Sequence, residues 1–352
     1  FITASNAREI INKDNSEDYS HYIEILLESE KAEDSNKLDQ AILLISNAVD
    51  KYPQWAQAYF KRARLYRQLN QIDKAVADYD KCININPDDF KAYVNRGIAK
   101  SDGEDFEAAI KDLEEGLKIN PQDKIGLFWI ARTKFITSDY EAVINHLNDF
   151  IKIEKDAPNC FLLRAKAKLK INDKDSAIKD LEKVIYIEPQ NSEALFKLGM
   201  TKFEKKDYQG AIELLEECIG FYPNEMPPVY GFAGQIYLLL EKYEEALNYL
   251  QKAIDLDFKT THTYTLLSDT QEKLGHLNDA IESINKAIKK ESKDSYLYLK
   301  KASLKEKLGD KKGQINELKK ALQGNILGKI ASLLNYLNLK KFKKRLDPRL
   351  YN

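Results

Sequence analysis

A repeat of 34 residues constrains the fold of this 352-residue chain more than any other feature. The segments Ala56–Pro87 and Phe90–Pro121 each carry a small residue early, an alanine twelve residues after it and a closing Asn-Pro. A fixed period of this length is typical of stacked repeats, in which each unit contacts only its neighbours. The period therefore predicts an array of similar units, although a chain of this length would otherwise suggest two or three globular domains.

The period runs through most of the chain. A marker alanine recurs at intervals of 33 to 35 residues, at Ala41, Ala75, Ala109, Ala142, Ala177, Ala211, Ala246 and Ala280. These markers divide the chain into nine units, which are 22–55, 56–89, 90–123, 124–157, 158–191, 192–226, 227–260, 261–294 and 295–325. The ninth unit is degenerate, because Gln314 occupies the alanine position.

Within each unit the apolar residues follow the helical spacing twice. In unit 192–226 the first run ends at Phe203 and the second begins at Ala211. Each unit therefore predicts two short antiparallel helices, neither of which is long enough to be stable alone in water. Small residues such as Gly97 let the two helices approach closely, and a closing proline such as Pro87 lacks a backbone N–H and ends the second helix. The expected fold is an all-α solenoid.

The pattern aromatic–x3–Gly/Ala–x11–Ala–x6–Ala–x4–Pro resembles the tetratricopeptide repeat, and the resemblance covers about 300 of the 352 residues. The run Tyr93–Lys100, which contains Arg-Gly-Ile-Ala-Lys, resembles a common variant of that repeat. The resemblance implies a right-handed superhelix of helix pairs, with the first helices lining a concave groove. Lys155, Phe258 and Ser292 lie near or in the proline positions and predict local kinks.

The segments outside the nine units differ from them in composition. Residues 1–21 are polar and form an expected N-terminal lead-in. Residues 326–339 are amphipathic and predict a helix that caps the last apolar face, as the end of a repeat array requires. Residues 340–352 form a basic tail, which contains Lys340, Lys341, Lys343, Lys344 and Arg345. The tail either binds an acidic surface (a microtubule, a nucleic acid or anionic lipid) or is a solvated terminus.

Composition narrows the class of protein. The formal net charge of −1 gives no overall field that favours nucleic acid or an anionic membrane, and no apolar run approaches the length of roughly 20 residues that crosses a bilayer. Cys82 and Cys218 occupy positions that hold alanine in other units, so they are interpreted as small core residues and not as a disulfide framework. We expect a cytoplasmic, reducing environment. Because the chain begins with Phe1, a removed leader stays an open alternative.

Two ladders of charged residues repeat along the units. Arginine and aspartate occur together sixteen residues apart in three units, as Arg62–Asp78, Arg96–Asp112 and Arg164–Asp180. We interpret these as ion pairs within each helical hairpin, which removes the arginines from the binding face. The second ladder consists of Lys100, Lys134, Lys168 and Lys202. It is either a basic stripe for an acidic ligand or a set of aliphatic stems packed between helices.

The resemblance also predicts which residues face the groove. In the second to sixth units they are Phe60, Arg64, Arg67, Phe128, Arg132, Phe135, Leu162, Lys166, Leu169, Phe196, Met200 and Phe203. Aromatic and arginine side chains are typical interface anchors, so this strip predicts a cradle for an acidic-apolar helix or extended peptide. The alternative is that the aromatic rings pack against neighbouring repeats. Near the end, Asp269 and Glu272 occupy the corresponding positions, so we expect the groove to change sign there.

Signals for chemistry are weak. The four histidines are isolated from one another and form no metal-binding spacing, and no cofactor is expected. The run Gly324–Lys329 is one residue short of a phosphate-binding loop and follows no strand. The clamp with which chaperone adaptors of the tetratricopeptide family hold a C-terminal carboxylate is absent, because Phe60, Arg64 and Trp129 replace its polar residues around Asn95.

The sequence therefore predicts a non-catalytic scaffold that holds helices or peptides of partner proteins and helps to assemble a multiprotein complex. A co-chaperone or import adaptor that binds exposed client segments is one alternative. A structural subunit of a ciliary or microtubule-associated machine is another. A third is an accessory module of an enzyme whose catalytic domain lies outside this sequence.

Overall fold

The computed structural model describes residues 17–321, with side chains from residue 24 onward. Every regular element in this range is an α-helix, as predicted. The expected capping helix 326–339 and the basic tail 340–352 lie outside the described residues. So does most of the lead-in, but the first helix already begins at Glu17, and residues 17–21 are helical where the sequence analysis placed a polar lead-in.

The described residues form eighteen helices. In chain order they are α1 (Glu17–Asp34), α2 (Leu38–Lys51), α3 (Ala56–Gln68), α4 (Ile72–Ile85), α5 (Phe90–Asp102), α6 (Phe106–Ile119), α7 (Lys124–Ile136), α8 (Tyr140–Ile153), α9 (Pro158–Lys170), α10 (Lys174–Ile187), α11 (Ser192–Glu204), α12 (Tyr208–Phe221), α13 (Pro227–Leu239), α14 (Tyr243–Asp255), α15 (Thr261–Lys273), α16 (Leu277–Lys290), α17 (Ser295–Lys307) and α18 (Lys311–Ala321). Each odd-numbered helix packs against the even-numbered helix that follows it, which makes nine hairpins over residues 17–321.

The hairpins belong to two compact units, which divide between Ile187 and Glu188. The first unit contains the five hairpins α1–α10, and the second contains the four hairpins α11–α18. In each unit the second helix of one hairpin also packs against the first helix of the next. The core of each unit is therefore a row of small apolar clusters, and fully buried alanines such as Ala75, Ala109 and Ala246 lie within it.

A left-handed residue turns the chain from the first helix to the second in all nine hairpins. These residues are Asn36, Asn70, Glu104, Ser138, Asn172, Lys206, Glu241, Gly275 and Gly309, with φ between 57° and 82°. In the second hairpin the next N–H, that of Gln71, donates to the carbonyl of Tyr66 at 2.8 Å, which closes the first helix. In the third hairpin Asp105 then caps the second helix, because its carboxylate accepts from the N–H of Ala108 at 3.2 Å.

The predicted Arg–Asp pairs are present, and each reaches further than expected. Arg96 donates through Nε and Nη2 to both carboxylate oxygens of Asp112, at 2.7 and 2.6 Å, within its own hairpin. Its third nitrogen, Nη1, donates to Asp80 of the preceding hairpin at 2.6 Å. Arg62 joins Asp78 and Ser46 in the same way, and Arg164 joins Asp180 and Asn148. Each arginine therefore ties three helices together.

The lysine ladder also belongs to this framework. Lys100 lies 2.8 Å from Asp112, and Lys168 lies 2.7 Å from Asp180, so each of these aspartates receives one arginine and one lysine. Lys134 lies 3.4 Å from Glu114. In the first unit the lysines therefore contact carboxylates of their own array rather than form an unpaired basic stripe.

Small residues set the distance between the two helices of a hairpin. A Cβ built at Gly97 would lie 2.8 Å from Cγ of Leu113 and 2.9 Å from the carbonyl oxygen of Ala109. Gly220 in α12 is different, because nothing lies within 4 Å of a Cβ built there. The α5–α6 hairpin is therefore packed too closely for any side chain at Gly97.

We expect Gly97→Ala to destabilise the protein by about 1–3 kcal/mol, because the backbone of α6 must shift to admit the methyl group. Gly220→Ala is the matched control and should stabilise by about 0.5–1 kcal/mol, because alanine restricts the unfolded chain and favours the helix. Thermal unfolding followed by circular dichroism measures both effects. A loss of stability at Gly220, or none at Gly97, would contradict the close packing.

The three cysteines are buried thiols, as the alanine-like positions of Cys82 and Cys218 predicted. Burial raises the pKa of Cys82 and of Cys160 to about 12, and it also raises the pKa of Cys218. The folded protein therefore keeps these thiols protonated at pH values at which an unfolded chain would ionise them.

We expect a soluble thiol reagent at pH 8 to label all three cysteines quickly in urea and slowly in the native protein. The free energy of unfolding should also decrease as the pH rises from about 9 toward 12, because the folded pKa values of Cys82 and Cys160 lie above the unfolded value near 9. Labelling followed by mass spectrometry identifies each thiol. Fast native labelling at Cys82 would show that its hairpin opens readily.

Candidate partner-binding site

A cavity of about 480 Å³ lies between the first helices of the first three hairpins, and we call it the Phe60 pocket. Its apolar lining comes from α1, α3 and the start of α5, and consists of Leu26, Ala56, Phe60 and Phe90. Its charged and polar lining consists of Glu30, Gln57, Lys61, Arg64, Asn86, Asp88, Asp89 and Lys91. Two of the predicted groove residues, Phe60 and Arg64, thus share one concave site.

The helical spacing of α3 places these side chains together. Phe60 and Arg64 are one turn apart, so they lie on the same face of the helix. The ring of Phe60 packs edge-on against Tyr79 of α4, with 5.5 Å between ring centres. Tyr79 is fully buried and burial raises its pKa, so its phenol stays protonated beneath the site. Phe60 is therefore half-buried and held in place by its own hairpin.

Carboxylates from the preceding hairpin meet the basic residues of the Phe60 pocket. Nζ of Lys61 lies 3.0 Å from Glu30 and 4.0 Å from Glu33, and Nη2 of Arg64 lies 3.8 Å from Glu33. Nε2 of Gln68 also donates to Glu33, at 3.4 Å. Sequence analysis missed these contacts, because Glu30 and Glu33 belong to a different repeat from the residues they neutralise.

The other predicted basic residues of the first unit are also engaged. Nε of Arg67 lies 3.2 Å from Asp102 of the next hairpin. The guanidinium of Arg132 lies 4.5 Å from the ring centre of Trp129, a contact typical of a cation–π interaction. Lys166 also has an interaction partner within the chain. Each of these basic side chains therefore already has a partner within the chain.

The predicted aromatic residues divide between the site and the hairpin core. Phe135 packs edge-on against Tyr140 of its own hairpin at 5.5 Å, and Phe128 contacts the cluster around Cys160. Leu162 is buried. In the second unit, Phe203 packs against Tyr208 at 5.7 Å and Phe196 against Phe232 at 5.4 Å, while Met200 is half-buried. Of the predicted aromatic residues, Phe60 is the one that lines the Phe60 pocket.

The second unit repeats the charge arrangement of the pocket wall. Lys300 of α17 contacts both Asp269 and Glu272 of α15, the acidic residues that predicted a change of sign. Lys307 lies 2.7 Å from Glu272. Burial, together with the nearby charge of Lys307, lowers the pKa of Lys300 to about 8. The acidic positions of this unit are thus paired with lysines.

Other kinds of site are not found in the part of the chain that the structure describes. Between residues 17 and 321, no group of three or more His, Cys, Asp or Glu side chains could hold a metal ion. No helix in the same range combines the length and the hydrophobicity needed to cross a membrane. The Phe60 pocket is a concave site in the described residues that combines apolar and charged side chains.

The stacked antiparallel hairpins define a helical-repeat protein. A family model described as tetratricopeptide repeat matches residues 56–89, 90–123 and 261–292. A second model, described as anaphase-promoting complex, cyclosome, subunit 3, matches residues 173–253. The chain thus contains tetratricopeptide repeats, as the sequence period predicted, and its eighteen described helices fit about nine repeats of this kind.

Solved structures share this fold of stacked helical hairpins. The C-terminal part of a tetratricopeptide repeat protein from Cytophaga hutchinsonii is 14% identical, with a TM-score of 0.60 over 69% of this chain and 99% of that chain. A tetratricopeptide repeat protein from Parabacteroides merdae is 16% identical, with a TM-score of 0.50 over 71% and 98% of the two chains. At these identities the similarity shows the fold alone.

One short stretch matches a curated protein of another kind. It is 77% identical over 31 residues to phosphate acyltransferase of Pelagibacter ubique (strain HTCC1062). The match spans 9% of this chain and 9% of that protein. A match of this length assigns no family to the repeat array.

Two arginines of α3 test which arginines support the fold and which are exposed for binding. Arg62→Met should destabilise the α3–α4 hairpin by about 3–5 kcal/mol, because it leaves the buried carboxylate of Asp78 without its partner. Arg64→Met should cost less than about 1 kcal/mol, because Arg64 is 38% exposed and lies 3.8 Å from Glu33. Hydrogen exchange of the α3 and α4 amides measures the local free energy of unfolding. Equal losses in both variants would contradict this division.

Proposed function

We propose that the protein is a non-catalytic scaffold whose Phe60 pocket binds an acidic-apolar segment of a partner protein. The observation that carries this proposal is the combination, in one concave site, of an apolar floor with a basic wall on α3; the lining also includes the carboxylates of Glu30, Asp88 and Asp89. The floor is formed by Leu26, Phe60 and Phe90, and the wall by Lys61 and Arg64 on the same helix. A pocket of about 480 Å³ is in the range that accepts a ligand of a few side chains.

The apolar floor supplies most of the affinity in this proposal. Burying one leucine-sized side chain contributes about 1.5–3 kcal/mol, whereas an exposed ion pair contributes about 0–1 kcal/mol. The basic wall instead selects the partner, since a carboxylate beside the apolar anchor can reach Lys61 or Arg64. Family membership supports the same role, and the model matched by residues 173–253 is described as a subunit of a complex. Assembly of a multiprotein complex is therefore part of the proposal.

A peptide selection tests this function. Full-length protein is screened against a phage-displayed peptide library, and the strongest peptide is labelled for fluorescence anisotropy. We expect selected peptides to combine Asp or Glu with Leu or Phe. Phe60→Ala should weaken binding by about tenfold or more, because it removes the apolar floor. Arg64→Glu should weaken binding about three- to tenfold through charge reversal.

Two matched variants control for general effects. Tyr186→Ala removes an aromatic ring that is 80% exposed on α10, and Lys81→Glu reverses an exposed charge on α4. Neither residue lines the pocket, so neither change should alter the dissociation constant. Circular dichroism confirms that each variant is folded. Peptides that bind equally well to Phe60→Ala and Arg64→Glu would overturn the proposed site.

A further inference from the structure

We propose that Glu30 and Glu33 regulate the Phe60 pocket as built-in competitors of the acidic partner; this inference rests on the proposed function. The two carboxylates project from α1 onto the basic wall of α3. Glu30 lies 3.0 Å from Nζ of Lys61, and Glu33 lies 3.8 Å from Nη2 of Arg64. The chain therefore places its own carboxylates where the partner's carboxylates would bind.

Within the described residues, each of the two units contains a lysine that contacts two carboxylates of the preceding hairpin. Lys300 contacts Asp269 and Glu272 of the preceding hairpin, as Lys61 contacts Glu30 and Glu33. A further contact recurs at the same separation of 35 residues, from Gln68 to Glu33 and from Lys307 to Glu272. In both places a lysine thus lies between two carboxylates of the first helix of the preceding hairpin.

The two copies differ in how firmly the carboxylates are held. In the second unit Glu272 is 17% exposed and accepts from both Lys300 and Lys307. In the first unit the equivalent Glu33 is 21% exposed, and Glu30 is 45% exposed where its counterpart Asp269 is 31% exposed. The position of Lys307 is taken by the neutral Gln68. Partly exposed ion pairs of this kind contribute little free energy and yield to a competing charge. The copy beside the cavity is therefore the weaker one.

The competition follows from effective concentration. Glu30 and Glu33 are tethered to the site, and a tethered group competes at an effective concentration on the order of millimolar. A partner that brings carboxylates alone gains nothing by exchanging one ion pair for another. A partner that also fills the apolar floor gains the burial of its side chain. The acidic residues of α1 therefore reject merely acidic segments and admit segments with an apolar anchor.

Removal of the internal carboxylates tests this mechanism. The double variant Glu30→Gln/Glu33→Gln should bind the labelled acidic-apolar peptide about two- to tenfold more tightly than the wild type at physiological ionic strength. An analogue peptide with Gln in place of every Asp and Glu should show no such gain. Glu107→Gln/Glu115→Gln removes the same charge from exposed positions on α6 and should bind like the wild type. Glu30→Gln alone serves if the double variant is unfolded.

The outcomes separate this inference from the proposed function. If the wild type binds the peptide through Phe60 but the double variant binds it no more tightly, the competitor mechanism is wrong and the proposed function stands. An equal gain with the Gln analogue would also overturn the mechanism, because charge would not be the cause. If neither protein binds any peptide in a Phe60-dependent manner, the proposed function itself fails.

Discussion

The arginine that joins three helices is the interaction that fixes how neighbouring hairpins of the first unit are oriented. Arg62, Arg96 and Arg164 each bind both oxygens of an aspartate on the second helix of their own hairpin. The remaining Nη1 reaches a polar residue on the second helix of the hairpin before. A planar guanidinium offers donors in a fixed fork, so these contacts orient neighbouring helices. Burial of the alanine-rich faces supplies the main driving force, since buried ion pairs add little net stability.

The Arg–Asp pairs determine which basic side chains of α3 are left to contact the proposed partner. Because Arg62 is committed to Asp78, the basic character of α3 on its outer face comes from Lys61, Arg64 and Arg67. Each of these three is in turn matched by a carboxylate from an adjacent hairpin. Local charge balance leaves the apolar floor at Phe60 as the part of the site that the proposed partner would gain most from covering. Recognition in this proposal therefore depends on shape and burial first and on charge second.

Sequence reasoning succeeded where contacts repeat within a hairpin. The period predicted the helix pairs, Gly97 predicted their close approach, and co-occurring Arg and Asp predicted the pairs at Arg96–Asp112 and its equivalents. It was less successful at the turns, because four of the nine left-handed turn residues in the described hairpins are neither glycine nor asparagine, namely Glu104, Ser138, Lys206 and Glu241. Helix α1 also begins earlier than the period suggested, since residues 17–21 lack the apolar pattern of the units yet are helical.

The amino-acid sequence by itself determined the all-α repeat architecture, because a 34-residue period of apolar positions can bury its surface only by stacking one helix pair on the next. It also determined that Cys82 and Cys218 are core residues and that Phe60 and Arg64 share a face. Only the tertiary structure decided which carboxylates meet the basic residues of that face. Glu30, Glu33 and Asp102 come from neighbouring hairpins, and their positions depend on how the hairpins pack. The repeat period shows which positions are equivalent in different hairpins. It does not show which side chains of neighbouring hairpins touch, because those contacts depend on how the helices pack.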